Sequence, residues 1–244
     1  MTVVCVGGLD PLGRAGLIAD RSACSALGVH AVVVCTALTA QDDESCLVHV
    51  VDAGFLADQL KVVFRSSSKL VVKVGWLAGE PQLKVLLELL PGDAELIVDP
   101  LMRTTSGVEV FSGDMSGELY QRYIERSDLF TPNLIEAKRW LTASSSDAAE
   151  LASSLQLRGA SRVLLKGGHS DSDCIDDFFI DHDGSLRIFR HERYPGHHRG
   201  TGCRLASSVA ARVSQGCEYE HAVAMSIEWL TQQIEAASNS EIHS

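Results

Sequence analysis

The chain has 244 residues, a length that suits one α/β domain. Its 21 basic and 32 acidic residues leave a net charge of −11, which argues against a protein built mainly to grip a nucleic-acid backbone. Apolar residues make up 45% of the chain, enough for a large core, yet no run of about 18 of them offers a membrane span.

The opening MTVVCVGGLDP lacks the basic start and long apolar stretch of a signal peptide and reads as a strand from residue 2. Short β-branched runs then alternate with segments of 3.6-residue periodicity. The predicted strands are 3–6, 31–36, 70–74, 96–98, 128–131 and 162–165. The predicted helices between them are 14–27, 55–64, 82–90, 117–126, 135–141 and 148–157. Nearly continuous apolar strands alternating with helices predict an α/β fold, a mostly parallel sheet covered on both faces. Residues 178–181 and 186–189 flank Asp183-Gly184, a hairpin signal that predicts an antiparallel edge. Helices at about 203–215 and 219–237 complete a single domain over residues 1–237, with a polar tail, 238–244, expected to fray. Seven cysteines at irregular spacing, with no CxxC, predict reduced thiols in a cytosolic protein.

Ligands of open parallel sheets bind beyond the carboxyl ends of the strands. Here the first strand runs into Gly7-Gly8-Leu9-Asp10-Pro11, with Gly13 and Gly16 beyond. The second runs into Thr39-Ala40-Gln41-Asp42, the third into Gly75-Trp76 and the fourth into Asp99-Pro100. The fifth is followed by Thr131-Pro132-Asn133, with Glu136 one turn on, and the sixth by Lys166-Gly167-Gly168-His169. Any one of these is ordinary turn chemistry; six in succession predict a binding rim.

Gly200-Thr201-Gly202-Cys203 opens a helix of small residues. Its amides and the helix N-terminus suit a phosphate; a tight turn before a closely packed helix would look the same. On the anion-site reading the Cys203 thiol is expected to have a lowered pKa. Residues 8–15 lack the lysine and hydroxyl of a P-loop, and Leu205 stands where a dinucleotide fingerprint needs its third glycine. His191, His197, His198 and Cys203 match no standard zinc spacing.

These motifs together resemble the hydroxymethylpyrimidine and phosphomethylpyrimidine kinases of thiamin biosynthesis, within the ribokinase-like superfamily. The resemblance rests on Gly8-Leu9-Asp10-Pro11-Leu12-Gly13-Arg14-Ala15-Gly16, continued to Asp20, and on Thr36-Ala37-Leu38-Thr39-Ala40-Gln41. It continues through Lys73-Val74-Gly75-Trp76-Leu77, Asp99-Pro100-Leu101-Met102, Thr131-Pro132-Asn133-Leu134-Ile135-Glu136 and the two glycine loops, in the family's order from residue 3 to about 235. It implies a three-layer α/β/α sandwich with an antiparallel edge. It also implies phosphate transfer from ATP, with magnesium, to a small-molecule pyrimidine by a cytoplasmic homodimer, without nucleic acid or membrane as partner. Gln41 would bond the pyrimidine ring, with Gly8, Asp10 and Asp20 nearby and Trp76 and Leu101 along its apolar sides. Asp99 and Glu136 would serve magnesium, and Asn133 and Lys166 the nucleotide. Gly200, Thr201 and Gly202 would hold the transferring group, and Cys203 would occupy the place of the aspartate base of related sugar kinases.

The chain departs from the family pattern at Leu12, Arg14, Trp76, Thr105 and Arg199, and in the acidic stretch Asp42-Asp43-Glu44. Two other readings share the fold, a pyridoxal-type kinase and a catalytically weak ligand-sensing homologue. Gln41 and Cys203 favour the pyrimidine kinase.

Overall fold

The computed structural model describes residues 2–42, 45–65, 69–102, 115, 117–167, 173–194 and 199–242, with side chains as far as Ser238. In chain order the strands are β1 (Thr2–Leu9), β2 (His30–Gln41), β3 (Cys46–Val50), β4 (Leu70–Val74), β5 (Glu95–Val98), β6 (Leu129–Phe130), β7 (Val163–Leu165), β8 (Cys174–Ile180) and β9 (Leu186–Glu192). The helices are α1 (Gly16–Ala26), α2 (Ala53–Phe64), α3 (Glu80–Leu89), α4 (Glu118–Arg126), α5 (Leu134–Leu141), α6 (Ala148–Leu157), α7 (Thr201–Ser214) and α8 (Tyr219–Ile242).

All nine strands form one sheet in the order β3-β2-β1-β4-β5-β6-β7-β8-β9. Pairing is parallel from β2 through β7. The β8–β9 hairpin adds an antiparallel edge, as expected. The strands are apolar on both faces because both faces are covered. Val4, Val6, Val72, Val74, Leu96 and Val98 point into one core, and Val3, Cys5, Val71 and Ile97 into the other, by the two-residue alternation of a strand. Helices α2 to α6 cover the first face with Leu56, Leu60, Leu83, Tyr120, Trp140 and Leu151. Helices α1, α7 and α8 cover the second with Leu17, Cys24, Val209, Ala210 and Val223. The result is the three-layer α/β/α sandwich.

The predicted strand 70–74 and helix 148–157 match β4 and α6 in both bounds. Most other bounds shift by a few residues, and the differences that change the architecture are in β2, β3 and α8. β2 runs on to Gln41 and folds back as β3, so the sheet has a second antiparallel edge. That strand is short, its apolar run is interrupted by His49, and it leaves even Leu47 and Val50 exposed. Helix α8 continues past residue 237 to Ile242, since no Gly or Pro interrupts 238–242, and Ser238 is buried.

Candidate active site

The chain leaves β1 toward β2 on one side and returns to β4 on the other, which is where a doubly wound sheet opens a crevice. A cavity of about 660 Å³ occupies that place. Every site residue expected from the sequence lines it. Gly8 and Asp10 come from the end of β1 and its loop, Asp20 from α1 and Gln41 from the end of β2. Trp76, Asp99 and Leu101 follow β4 and β5, and Asn133 and Glu136 begin α5. Lys166 follows β7, and Gly200, Thr201, Gly202 and Cys203 lead into α7.

Close backbone approach fixes the two glycine loops. Gly16 has φ +58°, and a Cβ there would collide with the Gly8 carbonyl. Gly200 has φ +74°, and a Cβ there would collide with the Arg14 carbonyl. The α7 loop is therefore seated against the loop after β1. Asp10 organises that first loop: Oδ1 accepts the Leu12 amide at 3.1 Å, and Oδ2 accepts those of Arg14 and Ala15, each at 3.0 Å. Trp76 packs its ring on Gly8, where a Cβ would lie 2.8 Å from Cε3.

Beneath the cavity runs a row of alternating charge. Lys73 Nζ, fully buried, lies 2.9 Å from Asp20 Oδ1 and 3.8 Å from Asp99 Oδ2. Lys166 Nζ meets Asp99 Oδ1 at 2.7 Å. Ser207 on α7 donates to Asp20 Oδ1 at 2.8 Å and ties the row to the second helical layer. Burial works against the charge of Asp99, but Lys166 and Lys73 outweigh it and hold the carboxyl below its ordinary range. Burial likewise opposes the charge of Lys73, and the Asp20 and Asp99 carboxylates hold it firmly protonated. Lys73 enters the sequence reading only as the first residue of Lys73-Val74-Gly75-Trp76-Leu77, with no role assigned, and the structure places it at the centre of the row.

The expected lowering of the Cys203 pKa is not found. Burial, opposed by Lys73 but reinforced by Asp99 and Asp20, pushes the thiol up to about 11. At neutral pH burial keeps the thiol protonated beside Asp99. Asn133 and Glu136 also shape the chain locally. Asn133 Oδ1 accepts the Glu136 amide at 2.9 Å, and Glu136 Oε2 accepts the Asn133 amide at 2.8 Å, a capping box at the start of α5. Burial, opposed by Lys166 and reinforced by Asp99, pushes the Glu136 carboxyl up to about 7.

Gln41 lines the cavity from the hairpin side, its Oε1 3.7 Å from the Cys46 thiol. Arg199 lines it as well and donates to the Asp42 carbonyl at 3.2 Å, joining the β2–β3 hairpin to the α7 loop. Thr105, Asp43, Glu44, Gly168, His169, His197 and His198 lie outside the described residues.

Among the described residues no group of three or more His, Cys, Asp or Glu side chains is placed to hold a metal ion. Asp99 and Glu136 are hard oxygen donors that suit magnesium in kind, and such an ion needs only one or two carboxylates when phosphates and water complete its shell. Their oxygens are already met by Lys166, Lys73 and backbone amides. This donor set fits an ion that arrives with a polyphosphate rather than a resident one. Among the described residues no helix is long and apolar enough to cross a membrane.

The chain is 36% identical over 230 residues to a probable thiamine biosynthetic bifunctional enzyme, chloroplastic, of Oryza sativa subsp. japonica, covering 91% of this chain but 42% of that protein. It is 31% identical over 243 residues to a hydroxymethylpyrimidine/phosphomethylpyrimidine kinase of Rhizobium meliloti (strain 1021), covering 97% of this chain and 91% of that one. A phosphomethylpyrimidine kinase structure from Clostridium difficile 630 superposes with a TM-score of 0.81 at 25% identity, over 96% of this chain and 99% of that one. The pyridoxal kinase of Staphylococcus aureus in complex with pyridoxal superposes with a TM-score of 0.86 over 96% and 87% of the two chains, a likeness of fold at 23% identity. The family model described as phosphomethylpyrimidine kinase matches residues 10–243, and with nearly the whole fold and cavity inside that span, the chain belongs to this family.

Proposed function

We propose that the chain is a single-domain, ATP-dependent kinase that phosphorylates 4-amino-5-hydroxymethyl-2-methylpyrimidine, its monophosphate, or both, for thiamin biosynthesis, as a homodimer in the cytoplasm. The observation that carries the reading is the meeting of the α7 loop with the lysine–aspartate pair. A Cβ at Gly202 would lie 3.2 Å from Lys166 Nζ and 3.9 Å from Asp99 Oδ1, so the start of α7 and a lysine ammonium border the same small space. Phosphoryl transfer passes through a loose transition state with charge spread over three oxygens, and donors fixed around that point are what it needs.

On this reading the pyrimidine lies between Trp76 and Leu101. The Gln41 carboxamide pairs with a ring nitrogen and the exocyclic amine, since it offers both a donor and an acceptor. Gly8 leaves room for the ring, Asp10 shapes the loop beside it, and Asp20 anchors Lys73 below. Lys166 and Asn133 face the nucleotide. Magnesium, held by the triphosphate and by Asp99 and Glu136, would neutralise phosphate charge. The substrate alcohol attacks the γ-phosphorus, and the bond to the β-phosphate oxygen breaks to release ADP. Gly200, Thr201 and Gly202 supply amides to the moving phosphoryl group. The alcohol's proton passes late in the transfer to Cys203 Sγ in its thiolate form, which Lys73 favours, and leaves from there to water, while Asp99 stays ionised between its two lysines.

The test is ³¹P NMR of the protein with magnesium-ATP and hydroxymethylpyrimidine. The expected result is a new phosphomonoester signal matched by ADP. ATP left intact with every pyrimidine offered, at high protein concentration, would favour the ligand-sensing homologue instead.

A further inference from the structure

Asp177 lies on β8 and does not line the cavity, yet it holds the loop that carries Lys166. The ladder between β7 and β8 ends at the pair Leu165 and Phe178. One residue on, the Lys166 amide donates to the Pro132 carbonyl at 2.8 Å, on the β6 side. The next amide, that of Gly167, donates to a side chain, Asp177 Oδ1, at 2.8 Å. The other oxygen of that carboxylate lies 3.2 Å from His191 Nε2 on β9. Asp177 is only 4% exposed, although it sits in the outer hairpin. Gly167 is pressed so close to β8 that a Cβ would collide with the Asp176 carbonyl. The Lys166–Gly167 segment is thus clamped from two sides, by backbone toward β6 and by one carboxylate toward β8.

We propose that Asp177 is a positioning residue for Lys166. Its hydrogen bond from Gly167 extends the sheet by one step beyond the backbone ladder. That step fixes the direction in which the Lys166 side chain leaves the chain toward Asp99. His191 fixes the carboxylate in turn. A buried polar group in such a place is retained only with partners, and here both oxygens have one. The kinetic consequence rests on the kinase reading above; the hydrogen bond does not.

The experiment combines backbone amide exchange with steady-state kinetics on the full chain, its Asp177→Ala variant and its Asp177→Asn variant. In the unaltered protein the Gly167 amide should exchange at least about 100-fold more slowly than in an unstructured peptide. Asp177→Ala should remove most of that protection and raise the KM for magnesium-ATP by about tenfold, with the KM for the pyrimidine unchanged within about twofold. Asp177→Asn keeps an oxygen acceptor and should restore both. An unprotected Gly167 amide in the unaltered protein would overturn the proposal, and so would an Asp177→Ala protein with ordinary protection and ordinary nucleotide KM. Equal weakening of both substrates without rescue by asparagine would assign Asp177 a merely structural role. If the alanine variant does not fold, the unaltered protein and Asp177→Asn decide. If the unaltered protein turns over no substrate, the kinase reading fails and amide exchange still judges Asp177.

Discussion

Cys203 sits in two opposing environments. The start of α7 and the Lys73 ammonium favour its thiolate, while burial and the carboxylates of Asp99 and Asp20 favour its thiol, and the second set wins. The helix start is legible in the sequence, because Gly200-Thr201-Gly202 announces it. The carboxylates are not, because they arrive from β5 and α1, remote in the chain. Local sequence therefore led to the wrong direction of shift. Cys203→Ala is expected to lower turnover by roughly 10²-fold, and Cys203→Ser by less, since a hydroxyl can also relay a proton. At pH 7 Cys203 should alkylate more slowly than the exposed Cys174, contrary to what a helix N-terminus alone would predict. Turnover unchanged in the alanine variant at unchanged stability would remove Cys203 from the mechanism.

At the scale of elements, the two glycine loops and the capping box set the site. Strands buried on both faces and helices with clear periodicity were legible, as β4 and α6 show. The β3 edge was not, because its five residues are too few for a clear period and His49 interrupts them, while Leu47 and Val50 are apolar yet exposed. The spacing Asn133-x-x-Glu136 was read for its oxygen donors, although the same residue types at that spacing also close a helix start. Gly200 is where element geometry and chemistry meet: its left-handed backbone and its contact with Arg14 leave no room for a side chain. Gly200→Ala should cost about 1–3 kcal/mol of stability in chemical denaturation and lower turnover at least about tenfold. A variant with ordinary stability and turnover would mean that the loop adapts freely and does not preorganise the amides.

For the whole molecule, the notable feature is the ionisable row joining residues of α1, β4, the β5 and β7 ends and α5 across one cavity. The strand-end residues were individually readable, and their convergence followed once a parallel sheet was recognised. The role of Lys73 was hidden because its partners lie on other elements. The row makes stability depend on pH. A carboxyl raised from 4.5 to about 7, as at Glu136, contributes stability that is present below about pH 4.5 and lost as the pH rises through 7. Glu136→Gln keeps an oxygen for the Asn133 amide and cannot ionise. Its thermal midpoint should match the unaltered protein near pH 4.5 and exceed it by several degrees, roughly 3–10 °C, at pH 8. A constant difference across that range would show that Glu136 does not titrate with folding. The central claim is that this cavity is a kinase site for an aminopyrimidine alcohol. Its most direct test is kcat/KM with magnesium-ATP for hydroxymethylpyrimidine, its monophosphate, pyridoxal, pyridoxine and ribose, measured side by side. The account predicts that one or both pyrimidines exceed pyridoxal by at least about tenfold, the worth of one ring-reading hydrogen-bond pair. Equal or greater turnover of pyridoxal would contradict it.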